Sequence, residues 1–158
     1  MKSRAPNSSR GRPSRSCFDT ALNLLARRAH SAAELRLKLA RRGYGDDELS
    51  GTMERMRSLG YLDDDAFADG LVRRRGADRS RLWISRELAA RGVDRETVAR
   101  ALACVDSETE LEAARREVAR SLRAGQRNYD YRKVAGRLLR RGFAASTVRA
   151  ALRSATRT

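Results

Sequence analysis

Apolar residues recur along the chain at a helical spacing, and the same arrangement appears three times. The copies align on an Arg-Gly pair, at Arg42-Gly43, Arg91-Gly92 and Arg141-Gly142. With this alignment, five positions are apolar in all three copies. They lie eight residues before the glycine (Leu35, Ile84, Val134), four before it (Leu39, Leu88, Leu138), directly after it (Tyr44, Val93, Phe143), six after it (Leu49, Val98, Val148) and ten after it (Met53, Leu102, Leu152). This agreement indicates an internal repeat.

Each copy predicts two helices joined by a tight turn. Apolar residues four apart, ending in Arg-Gly, are typical of a helix whose last turn carries a cation at the negative end of its dipole. The glycine supplies the positive φ that ends such a helix. Asp46, Asp94 and Ser146 follow the turns and favour the start of a second helix.

A further helix is predicted before each pair, over residues 17–28, 65–75 and 108–123, where apolar residues again follow helical spacing. The predicted fold is therefore all-α, with three tandem three-helix (helix-turn-helix-like) repeats forming an elongated, curved molecule. We expect a disordered basic arm at residues 1–16, repeats at 17–60, 61–106 and 107–154, and a tail at 155–158.

The junction between the first two repeats has a sequence of its own. Gly60 is expected to end a helix, and Tyr61 and Leu62 are expected to enter the core. Gly51 and Gly70 fall inside predicted helices, where glycine costs about 1 kcal/mol relative to alanine. Both helices are therefore expected to be irregular.

The strongest compositional feature is the formal net charge of +15. An excess of this size predicts a polyanionic partner, either nucleic acid, an acidic protein surface or an assembly of both. A GC-rich genome would explain the preference for arginine over lysine, but not the excess over Asp and Glu.

Candidate contact residues form two basic groups: Arg73, Arg74, Arg75, Arg79, Arg81 and Arg86 around the loop at 76–80, and Lys133, Arg137 and Arg140 in the third repeat. Arg79 and Arg86 share a helix stripe if their helix begins early enough. Lys133, Arg137 and Arg140 stand at i, i+4 and i+7, beside apolar positions. A solvated amphipathic face is the alternative interpretation.

The sequence offers no catalytic, cofactor or metal site. The one histidine, His30, precedes a predicted helix cap at Ser31, and no phosphate-binding glycine loop or nucleophile elbow is present. Three adjacent carboxylates at residues 63–65 could hold a metal, but helix capping explains them. The lone Cys17 and Cys104 are expected to be buried. A nuclease is therefore disfavoured.

Aromatic residues are few, which limits stacking on single-stranded bases. Trp83, Tyr129 and Tyr131 are the possible exceptions. For Trp83 we expect packing in the core or between repeats. No membrane span or signal peptide is predicted, so a cytoplasmic protein is expected.

Several stretches together resemble a known family. They are LLARRAHSAAELRLKLARRGY in the first repeat, G-Y-L-D-D-x-x-F-A at residues 60–68, which includes Phe67, and I-x-x-E-L-x-x-x-G at residues 84–92. In this order they resemble the bacterial RecX regulatory proteins, modulators of the RecA recombinase. The similarity extends over residues 18–152.

The resemblance implies a non-catalytic regulator without cofactors. Such a protein binds RecA and RecA filaments on single-stranded DNA, inhibits recombinase, ATPase and co-protease activities, and so modulates recombinational repair and the SOS response. It implies weak contact with single- or double-stranded DNA, and we expect a monomer.

The main alternative is a sequence-non-specific DNA-binding module of tandem helix-turn-helix units. It predicts tight DNA binding without RecA. A sequence-specific reader would need base-contacting Asn or Gln side chains, which are scarce here.

Overall fold

The computed structural model describes residues 15–123 and 130–155, and within those ranges all regular secondary structure is helical. The helices are α1 (Cys17–Arg27), α2 (Ala32–Ala40), α3 (Asp46–Ser58), α4 (Asp64–Arg75), α5 (Arg81–Ala90), α6 (Arg95–Leu102), α7 (Ser107–Arg123), α8 (Tyr131–Arg140) and α9 (Ala145–Ala155). Most of the predicted arm, Tyr129 and the end of the tail lie outside the described residues. Arg15 and Ser16, at the end of the predicted arm, are described, and Ser16 caps α1.

The helices group in threes, as predicted, and each group has its own apolar core. The first compact unit ends at Asp63 and contains the core of α1–α3. The second begins at Asp64 and contains two cores, one built by α4–α6 and one by α7–α9. The matched apolar columns supply these cores, with Leu39, Leu88 and Leu138 fully buried.

The Arg-Gly turns have the predicted geometry. Gly43, Gly92 and Gly142 have φ values of 93°, 75° and 85°. At the second turn the Val93 amide donates to the Leu88 carbonyl, and the Gly92 amide donates to Ala89. This pair of hydrogen bonds satisfies the last carbonyls of the helix and turns the following apolar residue back onto it. Val93 and its counterpart Phe143 are accordingly buried.

Each repeat also starts its middle helix with a polar cap. Ser31, Ser80 and Asp130 occupy the same repeat column, and each accepts a hydrogen bond from a backbone amide in the first turn of α2, α5 or α8. The first of these was predicted. Such caps are each worth about 1 kcal/mol.

The prediction that Tyr61 enters the core is wrong. Gly60 adopts a φ of 72° and ends α3, and the amides of Tyr61 and Leu62 both donate to the Met56 carbonyl. This turn directs Leu62 into the core of the first unit, where it is 5% exposed, whereas Tyr61 remains 55% exposed. One of two adjacent side chains can fill the core at this turn, and the leucine does so.

Two further expectations at single residues are wrong. Helices α3 and α4 run without interruption through Gly51 and Gly70, because neither glycine needs a positive φ. Cys104 is exposed, since it follows the last turn of α6, and its thiol donates to the Ala101 carbonyl. Cys17 is buried as predicted, and burial raises the pKa of its thiol.

Candidate partner-binding surface

Three of the predicted contact residues form the last turn of α4. Arg73, Arg74 and Arg75 are all exposed, and none of the three forms an ion pair within residues 15–123 and 130–155. Guanidinium groups at a helix C-terminus are favoured by the helix dipole, so the fold tolerates three adjacent cations here. The result is a concentrated positive charge that no carboxylate of the described residues neutralises by an ion pair, and we call it the α4 arginine end.

The residues after α4 add an aromatic side chain to this region. Trp83 is half-buried against the core of α4–α6, in agreement with the predicted packing role. The guanidinium carbons of Arg79 and Arg75 lie 4.5 and 5.7 Å from the centre of its ring, a geometry that favours a cation–π interaction. Because α5 begins at Arg81, Arg79 precedes the helix and does not share a helical stripe with Arg86.

Arg81 has a structural role that the sequence did not indicate. Its guanidinium donates to the carbonyls of Leu102, at 2.9 Å, and Val105, at 3.0 Å. These carbonyls lie at and beyond the end of α6, where backbone acceptors lack helical partners. Arg81 therefore holds the end of α6 in place. Arg86 is exposed and forms no ion pair within the described ranges.

The predicted stripe on α8 is exposed but partly neutralised. Lys133 lies 3.7 Å from the Asp130 carboxylate, and Arg137 lies 3.9 Å from that of Glu117. Arg140 is exposed and has no ion pair among the residues that the structure describes. The stripe therefore presents less net positive charge than the spacing alone predicted.

Glu117 of α7 is a buried carboxylate that pairs with three arginines of the third repeat. It is 2% exposed, and its oxygens lie 2.6 Å from Arg141, 3.1 Å from Arg120 and 3.9 Å from Arg137. A buried carboxylate requires such partners, because desolvation otherwise disfavours its charge. We call these four residues the Glu117 cluster.

The turn that carries Arg141 also contacts the second repeat. The fully buried Ser80 hydroxyl donates to the Arg141 carbonyl at 2.9 Å and accepts from the Trp83 amide at 3.1 Å. A Cβ added to Gly142 would lie 2.6 Å from the Ser80 oxygen. The Arg-Gly turn of the third repeat is therefore fitted closely against the cap of α5.

His30, the one histidine, lies between α1 and α2 and is 4% exposed. Lys38 donates to Nε2 at 2.8 Å, so Nδ1 carries the proton and donates to the Arg28 carbonyl at 2.9 Å. Burial lowers the pKa of His30, and the charges of Arg28 and Lys38 lower it further. The ring is thus a neutral acceptor that orients Lys38. It lies at a helix boundary, as predicted.

The remaining titratable shifts belong to helix caps and to one exposed ion pair. Asp94 and Asp106 accept backbone amide hydrogen bonds from Thr97 and Thr109, which lower the pKa of each carboxyl. The Arg100 guanidinium donates to the Asp65 carboxylate, which raises the pKa of Arg100.

Across residues 15–123 and 130–155, no three His, Cys, Asp or Glu side chains are grouped to hold a metal. Among the described helices, none combines the length and the apolar character of a membrane span.

The structure thus separates the predicted contact residues by role. Arg75 and Arg79 lie beside Trp83, and Arg73 and Arg74 are exposed on the same last turn of α4. Arg81 braces α6, and Arg137 belongs to the Glu117 cluster. Sequence reasoning missed Glu117 and Ser80. A signal existed for Ser80, because it stands in the repeat column of the predicted cap Ser31.

The chain is similar to known proteins over most of its length. The family models "RecX, first three-helix domain" and "RecX, second three-helix domain" match residues 17–56 and 63–102. Relatives include "Regulatory protein RecX" of Mycobacterium avium, 35% identical over 90% of this chain and 87% of the relative. The protein of that name from Xanthomonas axonopodis pv. citri is 38% identical over 84% of this chain and 83% of the relative.

Solved structures share the same fold. The crystal structure of RecX from Lactobacillus salivarius gives a TM-score of 0.73, with 19% identity, over 87% of this chain and 93% of that one. A second, described as regulatory protein RecX, gives 0.69 with 20% identity, over 83% of this chain and 67% of that one. At such identities the likeness concerns the fold alone. The family models and the curated relatives together establish that this chain belongs to the RecX family of regulatory proteins.

Proposed function

We propose that this protein binds RecA and RecA filaments on single-stranded DNA, and that it inhibits recombinase, ATPase and co-protease activities. It would thereby modulate recombinational repair and the SOS response, acting in the cytoplasm as a monomer and without catalysis. Membership in a family of regulatory proteins supports a regulatory role. The resemblance of residues 18–152 to RecX proteins supports RecA as the partner.

The observation that carries the contact model is the α4 arginine end. Its three guanidinium groups are exposed and have no ion pair in the described part of the chain, so binding an anion there breaks no described ion pair. A RecA filament contains the phosphates of its DNA, and neutralising phosphate releases counterions. We infer that this surface contacts acidic filament surface and nearby phosphate, which blocks a path needed for strand exchange or subunit addition.

Direct contact with DNA is part of the same proposal. Exposed arginines bind phosphate regardless of base sequence, and such binding weakens steeply as salt rises. We expect weak binding to single- or double-stranded DNA alone. If DNA without RecA bound as tightly as the filament does, the alternative of a plain DNA-binding module would be favoured instead.

One titration tests the function. The protein is added to RecA on single-stranded DNA with ATP, and hydrolysis and filament length are followed together. Hydrolysis should fall with added protein, and inhibition should weaken as ionic strength rises. An unstructured peptide of equal net charge is the control for simple polycation effects. Hydrolysis and filament length that both stay constant would contradict the proposal.

A further inference from the structure

A groove of about 810 Å³ lies in the second compact unit, between its two repeats. One wall is formed by α5 and α6, and the other by the end of α8 and the turn that follows it. Its volume is in the range of protein cavities that bind ligands. It lies apart from the α4 arginine end, none of whose residues lines it.

The groove exists because small side chains line it. Ser85, Ala89, Ala99 and Ala144 line the space between the helices, where larger side chains would fill it. The buried side chains of Val93, Val98 and Phe143 also line it and are held by the two cores. This part of the lining is mostly apolar and held in place by the cores, so the groove is largely preformed for a partner.

An exposed leucine lies on each side of the groove. Leu82 of α5 is 48% exposed and Leu139 of α8 is 50% exposed. Removing such apolar surface from water is favourable. An occupant that buries both leucines must carry apolar side chains of its own.

The charges along the groove are mostly positive. Arg81, Arg86 and Arg95 line it, against one carboxylate, that of Glu110. Arg81 is engaged with backbone carbonyls, but Arg86 and Arg95 form no ion pair in the described part of the chain. The free guanidiniums at the edge of an apolar groove favour an occupant with carboxylates beside its apolar side chains.

We propose that this groove binds an acidic amphipathic helix of a partner protein. The described walls are helices and offer no strand edge for pairing, so the partner's backbone must satisfy its own hydrogen bonds, as a helix does. Apolar residues at i, i+3, i+4 and i+7 would contact the lining and the two leucines. Acidic residues beside them would pair with Arg86 and Arg95.

Charge argues against the other occupants. Residues 1–14 of this chain contain four basic residues and no acidic one, so this segment is repelled by the groove. A second copy of the chain, with a formal net charge of +15, is repelled as a whole. Nucleic acid would pair with the arginines but would leave the apolar lining without a partner. The inference does not depend on the proposed function, since it holds for an acidic helix from any protein.

A pair of synthetic peptides tests the proposal. Each is a labelled helix of about 15 residues with leucines at i, i+3, i+4 and i+7, and the flanking positions are all Glu in one and all Lys in the other. Binding to the full-length protein is followed by fluorescence anisotropy. The Glu peptide should bind with a dissociation constant on the order of micromolar, and the Lys peptide at least about tenfold more weakly.

Two variants locate the binding. Ala89→Leu with Ala99→Leu fills the groove with larger side chains on α5 and α6, and it should weaken binding of the Glu peptide by about tenfold or more. Ala40→Leu with Ser50→Leu makes the equivalent change at the matching columns of the first repeat and should have no effect. Arg86→Glu with Arg95→Glu should make the Lys peptide the better ligand, whereas Arg41→Glu with Arg57→Glu, an equal charge change elsewhere, should not.

Several outcomes would overturn the proposal. The first is that the Glu peptide does not bind, and the second is that it binds the groove-filled variant as tightly as the wild type. The third is that a single-stranded oligonucleotide displaces the peptide and that binding of this oligonucleotide is lost in the variant Arg86→Glu, Arg95→Glu. Circular dichroism of each variant checks that its helix content is retained. These results are separable from the RecA titration, because no RecA is present.

Discussion

Two arginine-rich regions of the second compact unit differ in what surrounds them. At the α4 arginine end, three adjacent guanidiniums are exposed and form no ion pair in the described part of the chain. In the Glu117 cluster, three guanidiniums lie within 3.9 Å of one carboxylate that is 2% exposed. One buried glutamate thus makes the difference between arginines that hold the fold and arginines available to a partner.

This comparison shows why net charge alone cannot locate a contact surface. Breaking a buried ion pair costs several kcal/mol, whereas exposed charges contribute little to stability. Substitutions in the Glu117 cluster should therefore affect folding, and substitutions at the α4 arginine end should affect binding.

The largest effect on stability is expected for Glu117→Gln. The change leaves three guanidiniums without their carboxylate and should lower the free energy of unfolding by about 3 kcal/mol. This value is at the lower end of the range for buried ion pairs, because Arg120 and Arg137 also reach water. Urea denaturation measures it. Glu112→Gln, which removes a more exposed partner of Arg115, is the control and should cost less than about 1 kcal/mol. Equal losses for the two variants would contradict the comparison.

Gly142→Ala should have the next largest effect. Its φ of 85° disfavours any side chain, and the new Cβ would lie 2.6 Å from the Ser80 oxygen, which two hydrogen bonds hold in place. We expect a loss of about 2 kcal/mol. Gly43→Ala, at the same repeat position with no atom within 4 Å, should lose about 1 kcal/mol. The midpoints of thermal or urea unfolding, measured for both variants, show which of the two loses more stability.

The smallest effect on stability is expected from the titration of His30, whose neutral ring accepts a hydrogen bond from Lys38. Burial lowers the pKa of the folded-state imidazole below its ordinary value of 6.5. As the pH falls below that ordinary value, the unfolded chain takes up a proton more readily than the folded one, so stability falls. His30→Gln keeps a donor and an acceptor but does not titrate. When the pH falls from about 7.5 to 5.5, urea denaturation should show a larger loss of stability for the wild type than for this variant. Equal losses would show that folding does not lower the pKa of His30.

Much of the fold could be predicted because the repeat supplies the same information three times. Leu39, Leu88 and Leu138 identified one buried column, and Gly43, Gly92 and Gly142 identified the turns. Single positions without a repeat counterpart were harder. The choice between Tyr61 and Leu62 as the core residue depends on the direction of one turn, which spacing alone does not give.

The candidate site was less predictable than the fold. Spacing indicated that Lys133, Arg137 and Arg140 share a helix face, but not that Glu117, on another helix, lies against Arg137. Likewise, nothing in the spacing indicated that Arg81 donates to the carbonyls of Leu102 and Val105. Such contacts arise from packing between helices, which local periodicity does not encode. Among the predicted contact residues, Arg73–Arg75, Arg86 and Arg140 are exposed and form no ion pair in the described part of the chain, and Arg73–Arg75 are the three that lie next to one another.

The most direct test of the division between structural and binding arginines is RecA ATPase inhibition by the variant Arg73→Glu, Arg74→Glu, Arg75→Glu at moderate salt. Its matched control is Arg116→Glu, Arg123→Glu, Arg132→Glu, which changes the net charge equally at exposed positions of α7 and α8. The α4 variant should need at least about tenfold more protein for half-inhibition, while its stability stays within about 0.5 kcal/mol of the wild type. Inhibition that is unchanged, or weakened equally by both variants, would contradict the account.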